Sequence, residues 1–224
     1  RRNCYASNRP LEKPEGLLAF SRSPLKSRVH RPAYFDEITI ALSDKKKGKR
    51  ACRFIGLFTS SVFNQNPAEI PVVQGKIAYI FDQMGLSSES HKGRELARIV
   101  EILPREELFQ AETEELRSMV ERIYSLQERR IVRVIVRQDK SGHFVNCLVY
   151  VPRDTYDTAL RLKIQDLLSR RFDAASIDFS TFFSESALIR IHFVLKVNEG
   201  TQVSFDSDEL EQTIAGYTRS WEDD

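Results

Sequence analysis

The sequence predicts an α+β fold whose larger part is an antiparallel four-stranded plait in ββαββα order, preceded by a β-hairpin region and a bridging set of helices. Three observations lead to this prediction. Polar and apolar residues alternate over residues 131–151. The order of two strands and a helix then occurs a second time before residue 221. Upstream, between residues 71 and 128, apolar residues recur at helical spacing.

The first 28 residues are polar, and Pro10, Pro14 and Pro24 are spread among several arginines and serines. Such a segment offers little apolar surface to bury, and each proline removes a backbone donor. We therefore predict that residues 1–28 form a mobile or loosely packed lead-in.

Two alternating runs follow, from Tyr34 to Leu42 and from Arg50 to Thr59. Alternation with period two is typical of strands with unlike faces. The lysine-rich segment 45–49 joins the runs, so we predict a hairpin with a charged, solvated tip. Contact of these lysines with phosphates is the alternative, which the near balance of charges in the whole chain disfavours.

Three helices are predicted next, at residues 71–84, 91–103 and 113–128, each with an apolar stripe at three-to-four spacing. Pro71 suits the first position of a helix, and Gly85 suits the position after its end. Thr113 is a plausible N-cap for the third helix, with acidic residues in its first turn.

The hairpin at 131–151 carries the clearest pattern in the chain. Valine alternates with arginine and isoleucine on its first strand, and Gly142 can take the positive φ that closes the turn. The return strand places alternate apolar residues on one face, and Pro152 ends the pairing because it lacks an N–H.

A helix near 155–171, strands at 176–183 and 189–197, and a helix at about 207–220 complete the pattern. Each helix has one apolar stripe to bury, so the economical arrangement is one sheet with both helices on one face. This is a ferredoxin-like plait. On its last strand, Arg190 and His192 are assigned to the polar, solvated face.

The composition narrows the possible functions. The chain has 224 residues and a net charge of +2, which gives no general bias toward nucleic acid or membranes. No apolar run approaches the roughly 20 residues of a membrane span. The three cysteines lie far apart, which fits reduced thiols in the cytoplasm. The start at Arg1 without a signal region indicates a piece excised from a longer polypeptide.

Motifs for catalysis, cofactors and metals are absent from the sequence. No two glycines form a G-x-G pair, which excludes a dinucleotide fingerprint. No histidine or cysteine has a partner at zinc-ligand spacing, and no serine lies in G-x-S-x-G. We therefore predict no catalytic, cofactor-binding or metal-binding residues in this chain.

Long segments of the sequence resemble one protein family. The segments read KSRVHRP, RFIGLFTSSVFNQNPAEIP, SHKGRELARIVEILPREELFQ, LQERRIVRVIVRQDKSGHFVNCLVYVPRDTYDT and TRSWEDD, and they span most of the chain from Lys26 to its end. They are similar to the N-terminal region of the very large bacterial NAD-specific glutamate dehydrogenases. That family oxidatively deaminates L-glutamate to 2-oxoglutarate and ammonia with NAD, in a catalytic domain far downstream.

The resemblance implies an organisation and a role. Residues 29–66 would be the end of a PAS-like β region, 67–128 a helical connector, and 129–224 an ACT-like α/β plait with a C-terminal helix. The resemblance implies a parent enzyme that is an NAD-dependent oxidoreductase acting on a CH–NH₂ group, whereas this fragment is non-catalytic and regulatory. Its expected partners are other domains and subunits of the same oligomeric enzyme and a small amino-acid effector, with no nucleic acid or membrane.

Four residues are candidates for an effector site. ACT domains often bind amino acids where two domains meet, and an amino acid needs a cation for its carboxylate and an anion for its ammonium. Arg137, Asp139, Arg153 and Asp154 offer both signs at the ends of the hairpin strands. The alternative is that they solvate a turn and that Asp154 caps the following helix.

Two other functions remain open. One is a purely structural assembly module that binds no ligand. The other is an RNA-binding plait, in which bases stack on aromatic residues of an open sheet face. Phe144, Tyr150 and Phe182 are the candidate stacking residues, although the chain lacks an RNP1-like run.

Overall fold

The computed structural model describes residues 17–29, 32–44, 48–126, 129–184, 186–198 and 205–219. The predictions for residues 1–16, for the hairpin tip at 45–47 and for the end of the last helix beyond Arg219 lie outside this part of the chain. The chain divides into two compact units, residues 1–58 and 59–224, which are described separately. No helix of the described part is long and apolar enough to cross a membrane.

The first unit contains an antiparallel sheet of three strands in the order β1-β2-β3. The strands are β1 (Leu18–Lys26), β2 (Tyr34–Asp44) and β3 (Gly48–Gly56). Strands β2 and β3 form the predicted hairpin, whose register sets Ile38 opposite Phe54.

Strand β1 corrects the prediction of a loosely packed lead-in for residues 18–26, whereas residues 1–16 lie outside the described part of the chain. It pairs with β2, with Leu18 opposite Ile40, and its register shifts between Arg22 and Lys26. Pro24 lies in that irregular stretch and has no N–H for the ladder. Because of the proline and the polar residues, the sequence pattern did not reveal this edge strand, which is stabilised by pairing with the β2–β3 hairpin.

The second unit begins with helices. They are α1 (Ser60–Asn64), α2 (Pro71–Gln83), α3 (His91–Ile102), α4 (Arg105–Gln110) and α5 (Thr113–Tyr124), with a short 3₁₀ helix at Pro67–Glu69 between α1 and α2. Three of them match the predicted helices, although α5 ends earlier than residue 128. Gly85 follows the end of α2 with a φ of 62°, as predicted for that position.

The N-cap prediction at Thr113 is wrong. Thr113 is the first helical residue, and the cap is Glu112, whose N–H donates to the Glu115 carboxylate at 2.8 Å. This is one half of a capping box, and it satisfies a backbone donor that would otherwise be orphaned.

Helix α4 was not predicted, because its six residues are too short for a periodic pattern and include buried polar side chains. The C-terminal end of α4 is held by a side chain from α2. The Lys76 ammonium donates hydrogen bonds to the carbonyl oxygens of Leu108, Phe109 and Ala111 at 3.0, 2.8 and 2.6 Å. These are the carbonyl groups that a helix end leaves without internal partners.

The predicted plait follows. It comprises β4 (Arg133–Gln138), β5 (Phe144–Pro152), α6 (Thr158–Arg171), β6 (Ser176–Phe183), β7 (Leu188–Lys196) and α7 (Ser207–Arg219). The four strands form an antiparallel sheet in the order β4-β5-β7-β6. This arrangement confirms the predicted fold class and the ββαββα order, including Gly142 with a φ of 69° in the first hairpin turn.

One face of this sheet, the first face, packs on α6 and α7. The alternate apolar residues of the four strands meet the stripes of the two helices there, in a core that includes Val145, Cys147, Val149, Ile191, Phe193, Leu160, Ile164 and Ile214. All eight side chains are less than 2% exposed. The predicted core face is therefore confirmed.

The opposite face, the second face, is not solvated as predicted. Arg190 and His192 are 8% and 6% exposed, and Leu148 beside them is 1% exposed. His192 Nε2 lies 3.4 Å from Asn146 Oδ1. Helices α3 to α5 pack over this face, so both faces of the sheet are covered. The alternation therefore separates an apolar interior from an interior that also contains charged and polar side chains.

Candidate functional site

A pocket of about 1240 Å³ lies between helices α3 and α5 and the second face of the sheet. Residues from both helices, from β5 and β7, from the segment after β5 and from the β6–β7 turn line it. The lining is Glu95, Arg98, Ile99, Ile102, Ile123, Leu126, Arg130, Tyr150, Arg153, Asp154, Phe182, Ser184, Ser186, Ala187, Leu188 and Arg190. It combines an apolar floor with several charged groups, which is the usual composition of a small-molecule site.

Arg190 is the most deeply buried charge of this lining. One of its terminal amino groups donates to the Ile102 carbonyl oxygen, and the guanidinium carbon lies 4.8 Å from the centre of the Phe182 ring. Its Nε is buried and has no hydrogen-bond partner in the described part of the chain. Burial lowers the pKa of Arg190, an effect that the neighbouring Tyr150 opposes.

Tyr150 lies directly opposite Arg190 in the sheet register and is 5% exposed. Its hydroxyl group makes no hydrogen bond of acceptable geometry with any residue that the structure describes. Burial raises the pKa of Tyr150 to about 12, although the adjacent guanidinium works in the opposite direction. The hydroxyl is therefore protonated at neutral pH and is buried beside the Arg190 guanidinium.

Arg153 and Asp154, two of the predicted site residues, line the same pocket at its exposed rim. Arg153 donates a hydrogen bond to the Ser184 carbonyl oxygen at 3.0 Å. Asp154 accepts one from Arg130 at 2.7 Å, in an ion pair that is mostly exposed on both sides. Asp154 does not cap helix α6, because Asp157 does so by accepting a hydrogen bond from the Leu160 N–H at 2.6 Å.

Arg137 and Asp139, the other two predicted residues, lie at the opposite end of the hairpin. Arg137 donates to both carboxylate oxygens of Glu107, at 2.7 and 2.9 Å, with both side chains buried. Asp139 is 4% exposed and holds the turn by accepting hydrogen bonds from the Phe144 N–H and the Ser141 hydroxyl. The structure thus does not bring the four residues together.

Sequence reasoning missed the two central residues of this pocket, Arg190 and Tyr150. The available signal was the apolar character of their neighbours on the second face, Ile135, Leu148 and Leu188. Three large apolar residues on the nominally polar face indicate that something covers it.

Among the described residues, no group of three or more histidine, cysteine or acidic side chains is placed to hold a metal ion.

Two family models match the second unit. The helical motif 1 of glutamate dehydrogenase matches residues 70–129, and the ACT2 domain of glutamate dehydrogenase matches residues 133–222. The pocket lies where these two matched segments meet. The chain belongs to the NAD-specific glutamate dehydrogenase family. It corresponds to part of the N-terminal region of these proteins.

Curated relatives agree with the family models. The NAD-specific glutamate dehydrogenase of Pseudomonas aeruginosa is 46% identical over 209 residues, and that of Halomonas elongata is 40% identical over 211 residues. Each alignment covers 93% of this chain but 13% of the relative. The corresponding protein of Mycobacterium tuberculosis is 34% identical over 147 residues, which is 66% of this chain and 9% of the relative. The chain therefore spans a small part of the proteins that it matches.

Proposed function

We propose that this chain is a non-catalytic regulatory and interaction segment of an NAD-dependent glutamate dehydrogenase. The complete enzyme would oxidise L-glutamate with NAD to 2-oxoglutarate, ammonia and NADH, with the NAD site and the catalytic residues in other parts of the protein. One observation carries the proposal: an ACT-type sheet and the family's helical motif form one compact unit with a charged pocket at their junction.

The partners of this segment would be other domains and subunits of the same enzyme in the cytoplasm, together with a small amino-acid effector. The free thiols of Cys52 and Cys147 agree with a reducing compartment. Of the four residues proposed for the effector, Arg153 and Asp154 are the pair at the pocket. Arg137 and Asp139 already have protein partners, so we assign them a supporting role.

A purely structural module is the second candidate. Its support is the buried pair of Arg137 and Glu107, which joins helix α4 to the sheet without any ligand. RNA binding has less support, because two of its three candidate stacking residues, Phe144 and Tyr150, are 0% and 5% exposed, whereas Phe182 is 36% exposed and lies against Arg190.

The test uses the complete enzyme and this chain side by side. The purified chain should show no glutamate-dependent NAD reduction, whereas the complete enzyme should. In the complete enzyme, initial rates are measured with a panel of L-amino acids as effectors, and Arg153→Ala should abolish the response to the active one.

Arg170→Ala is the matched control, because Arg170 is 80% exposed on the far side of α6 and forms only a surface pair with Asp166. Turnover by the purified chain would contradict a non-catalytic role. An effector response that Arg153→Ala and Arg170→Ala leave equally intact would support the purely structural module.

A further inference from the structure

The two edges of the four-stranded sheet, β4 and β6, differ in how their backbone is protected. On the outer edge of β4, the Val134 N–H donates to a Glu211 carboxylate oxygen at 3.0 Å, and the Val134 carbonyl oxygen accepts from Arg122 at 3.2 Å. Side chains of α7 and α5 therefore occupy the backbone groups that a further strand would use. Proteins commonly block an edge strand in this way, because free backbone groups are a template for pairing.

Strand β6 lacks this protection over most of its length. It pairs with β7 on one side, and no side chain of the described residues bonds to its backbone between Phe179 and Phe183. Of its 8 residues, six are exposed and the other two are half-buried, so solvent reaches the strand all along its outer side. The outer backbone groups of β6 are therefore open to a further strand.

The side chains of this open edge are unusually apolar. Phe179, Phe182 and Phe183 are 48%, 36% and 55% exposed, and Asp178 is the only charged residue of the strand. A single charge on an exposed edge gives little protection against pairing, and exposed aromatic rings favour it. The edge thus has the character of an interface.

Two copies of β6 are complementary to each other in an antiparallel pair. Directly opposite residues of such a pair point to the same face, so a twofold axis sets one residue opposite its own copy. With Ser180 in that position, Phe179 would lie opposite Thr181. Ile177 would lie opposite Phe183. Both are pairs of an aromatic and a β-branched residue, a combination that stabilises neighbouring strands.

The axis at Ser180 also suits the charge and the most exposed ring. Asp178 of each copy would lie opposite Phe182 of the other, so that the two carboxylates do not face each other. With Phe179 on the axis instead, Phe183 would fall opposite Ala175, which lies outside strand β6. Ser180 is therefore the favoured axis position.

The available area sets the expected strength of this pairing. A phenylalanine contributes roughly 200 Å² of surface, so the exposed parts of the three rings amount to about 280 Å² per copy. A standard interface buries about 800 Å² per copy, and smaller ones belong to weak or transient complexes. Backbone hydrogen bonds between the strands add to the rings, and the pairing should still depend on concentration.

We propose that this chain dimerises by pairing its β6 edge with the β6 edge of a second copy. The two plaits then form one continuous sheet across a twofold axis at Ser180. A second copy is the occupant because the strand matches itself in its cross-strand pairs and in its charge. The inference rests on the interaction role proposed above and names the surface that performs it.

Sedimentation velocity of this chain, over a series from low micromolar to millimolar concentration, measures the dimerisation. We expect the wild type to pass from monomer to dimer. Ser180→Lys and Ser180→Asp should each weaken the dimer at least tenfold, because like charges would stand directly opposite each other at the axis. An equimolar mixture of the two variants should recover dimers, since unlike charges then face each other.

Ser118→Lys is the matched control, because Ser118 is an exposed serine on helix α5. It should dimerise like the wild type. Ser180 is exposed as well, so thermal melts at low concentration should show all three variants folded and close to the wild type in melting temperature.

The inference is overturned if the folded wild-type chain stays monomeric at millimolar concentration, which would leave the β6 edge to a strand from elsewhere in the complete enzyme. It is also overturned if Ser180→Lys dimerises like the wild type, or if the mixture does not recover the dimers that the single variants lose. If the charged variants do not fold, Phe183→Ser decides, because unchanged dimerisation of that variant overturns the inference too.

Failure of this inference differs from failure of the proposed function. A monomeric chain, in a complete enzyme that still responds to an effector through Arg153, would refute the pairing and keep the regulatory role. A dimeric chain that itself reduces NAD with glutamate would keep the pairing and refute the non-catalytic role.

Discussion

Replacing Glu107 by glutamine tests what joins helix α4 to the sheet. The variant keeps the shape of the side chain but removes the charge, and it leaves Arg137 buried without a counter-ion. Burial lowers the pKa of Arg137, and Glu107 more than offsets this, so that the pKa lies above its usual value. Without this carboxylate most of that compensation is lost, and the smaller contributions of Glu115 and Asp139 remain.

The expected loss of unfolding free energy is about 3–5 kcal/mol, the range for breaking a buried ion pair from one side. The side chains of Arg137 and Glu107 are 6% and 1% exposed, so solvent cannot replace the lost partner. For a unit of this size each kcal/mol lowers the melting temperature by roughly 2–4 °C, which gives a decrease of about 10 °C. Urea unfolding followed by circular dichroism measures the free energy directly.

The matched control is Asp166→Asn, which removes the charge of an exposed ion pair. The side chains of Arg170 and Asp166 are 80% and 59% exposed, so the control should change stability by less than about 0.5 kcal/mol. The double variant Arg137→Met with Glu107→Leu should be more stable than Glu107→Gln alone, because it leaves no unpaired charge.

A Glu107→Gln variant whose stability stays within 1 kcal/mol of the control would refute the reasoning. The result would mean that apolar packing, and not the ion pair, holds α4 on the second face. A double variant less stable than the single one would show that an unpaired buried charge is not what destabilises Glu107→Gln.

Further predictions concern the core, the buried thiol and the buried lysine. Val149→Asp should cost several kcal/mol because Val149 is fully buried, whereas Leu162→Asp, at a half-exposed position, should change the melting temperature little. Burial raises the pKa of Cys147, so in a native chain mass spectrometry should find Cys147 unmodified by a thiol reagent that labels the half-buried Cys52. Burial lowers the pKa of Lys76 to about 8, below its value of 10.5 in an unfolded chain. The unfolded state then binds more protons between these values, so raising the pH from 8 to 10 should increase the stability of the wild type relative to Lys76→Met. Equal pH dependence of the two proteins in urea unfolding would contradict this.

The plait could be predicted because its signals are local. Alternation with period two defines strands β4, β5 and β7, and the turn around Gly142 fixes one hairpin. The apolar stripes of α6 and α7 must be buried, and the first face of the sheet is the apolar surface on which they pack. Each of these steps depends on neighbouring residues in the sequence, where periodicity is informative.

The second face could not be predicted because its contacts are distant in sequence. Arg190 and His192 alternate with core residues and so were assigned to solvent, but helices from about 90 residues earlier cover them. Alternation indicates that the two faces differ in polarity, but it does not predict which elements pack on the more polar face. Helix α4, which contributes Glu107, was missed because its six residues are too short for a periodic pattern.

Two of the four candidate site residues line the pocket and two do not. Arg153 and Asp154 were found because unlike charges stand next to each other before a helix, and both line the pocket. Arg137 and Asp139 are also unlike charges close together in the sequence, at the other end of the hairpin. Both have structural contacts, since Arg137 pairs with Glu107 and Asp139 accepts hydrogen bonds within the turn. Charge pattern alone cannot separate a cation that has a buried carboxylate partner, such as Arg137, from one that lines the pocket, such as Arg153.

The two faces of the sheet are held by different interactions. The first face is an apolar core, whose packing is dense and has no charge that a ligand could compete for. The second face depends on ion pairs and on hydrogen bonds to the ends of α3 and α4, which are directional and which a charged ligand can strengthen or replace. Helices α3 and α4 are therefore attached to the sheet by charged side chains, and the loss of one charge should affect these helices more than the apolar core.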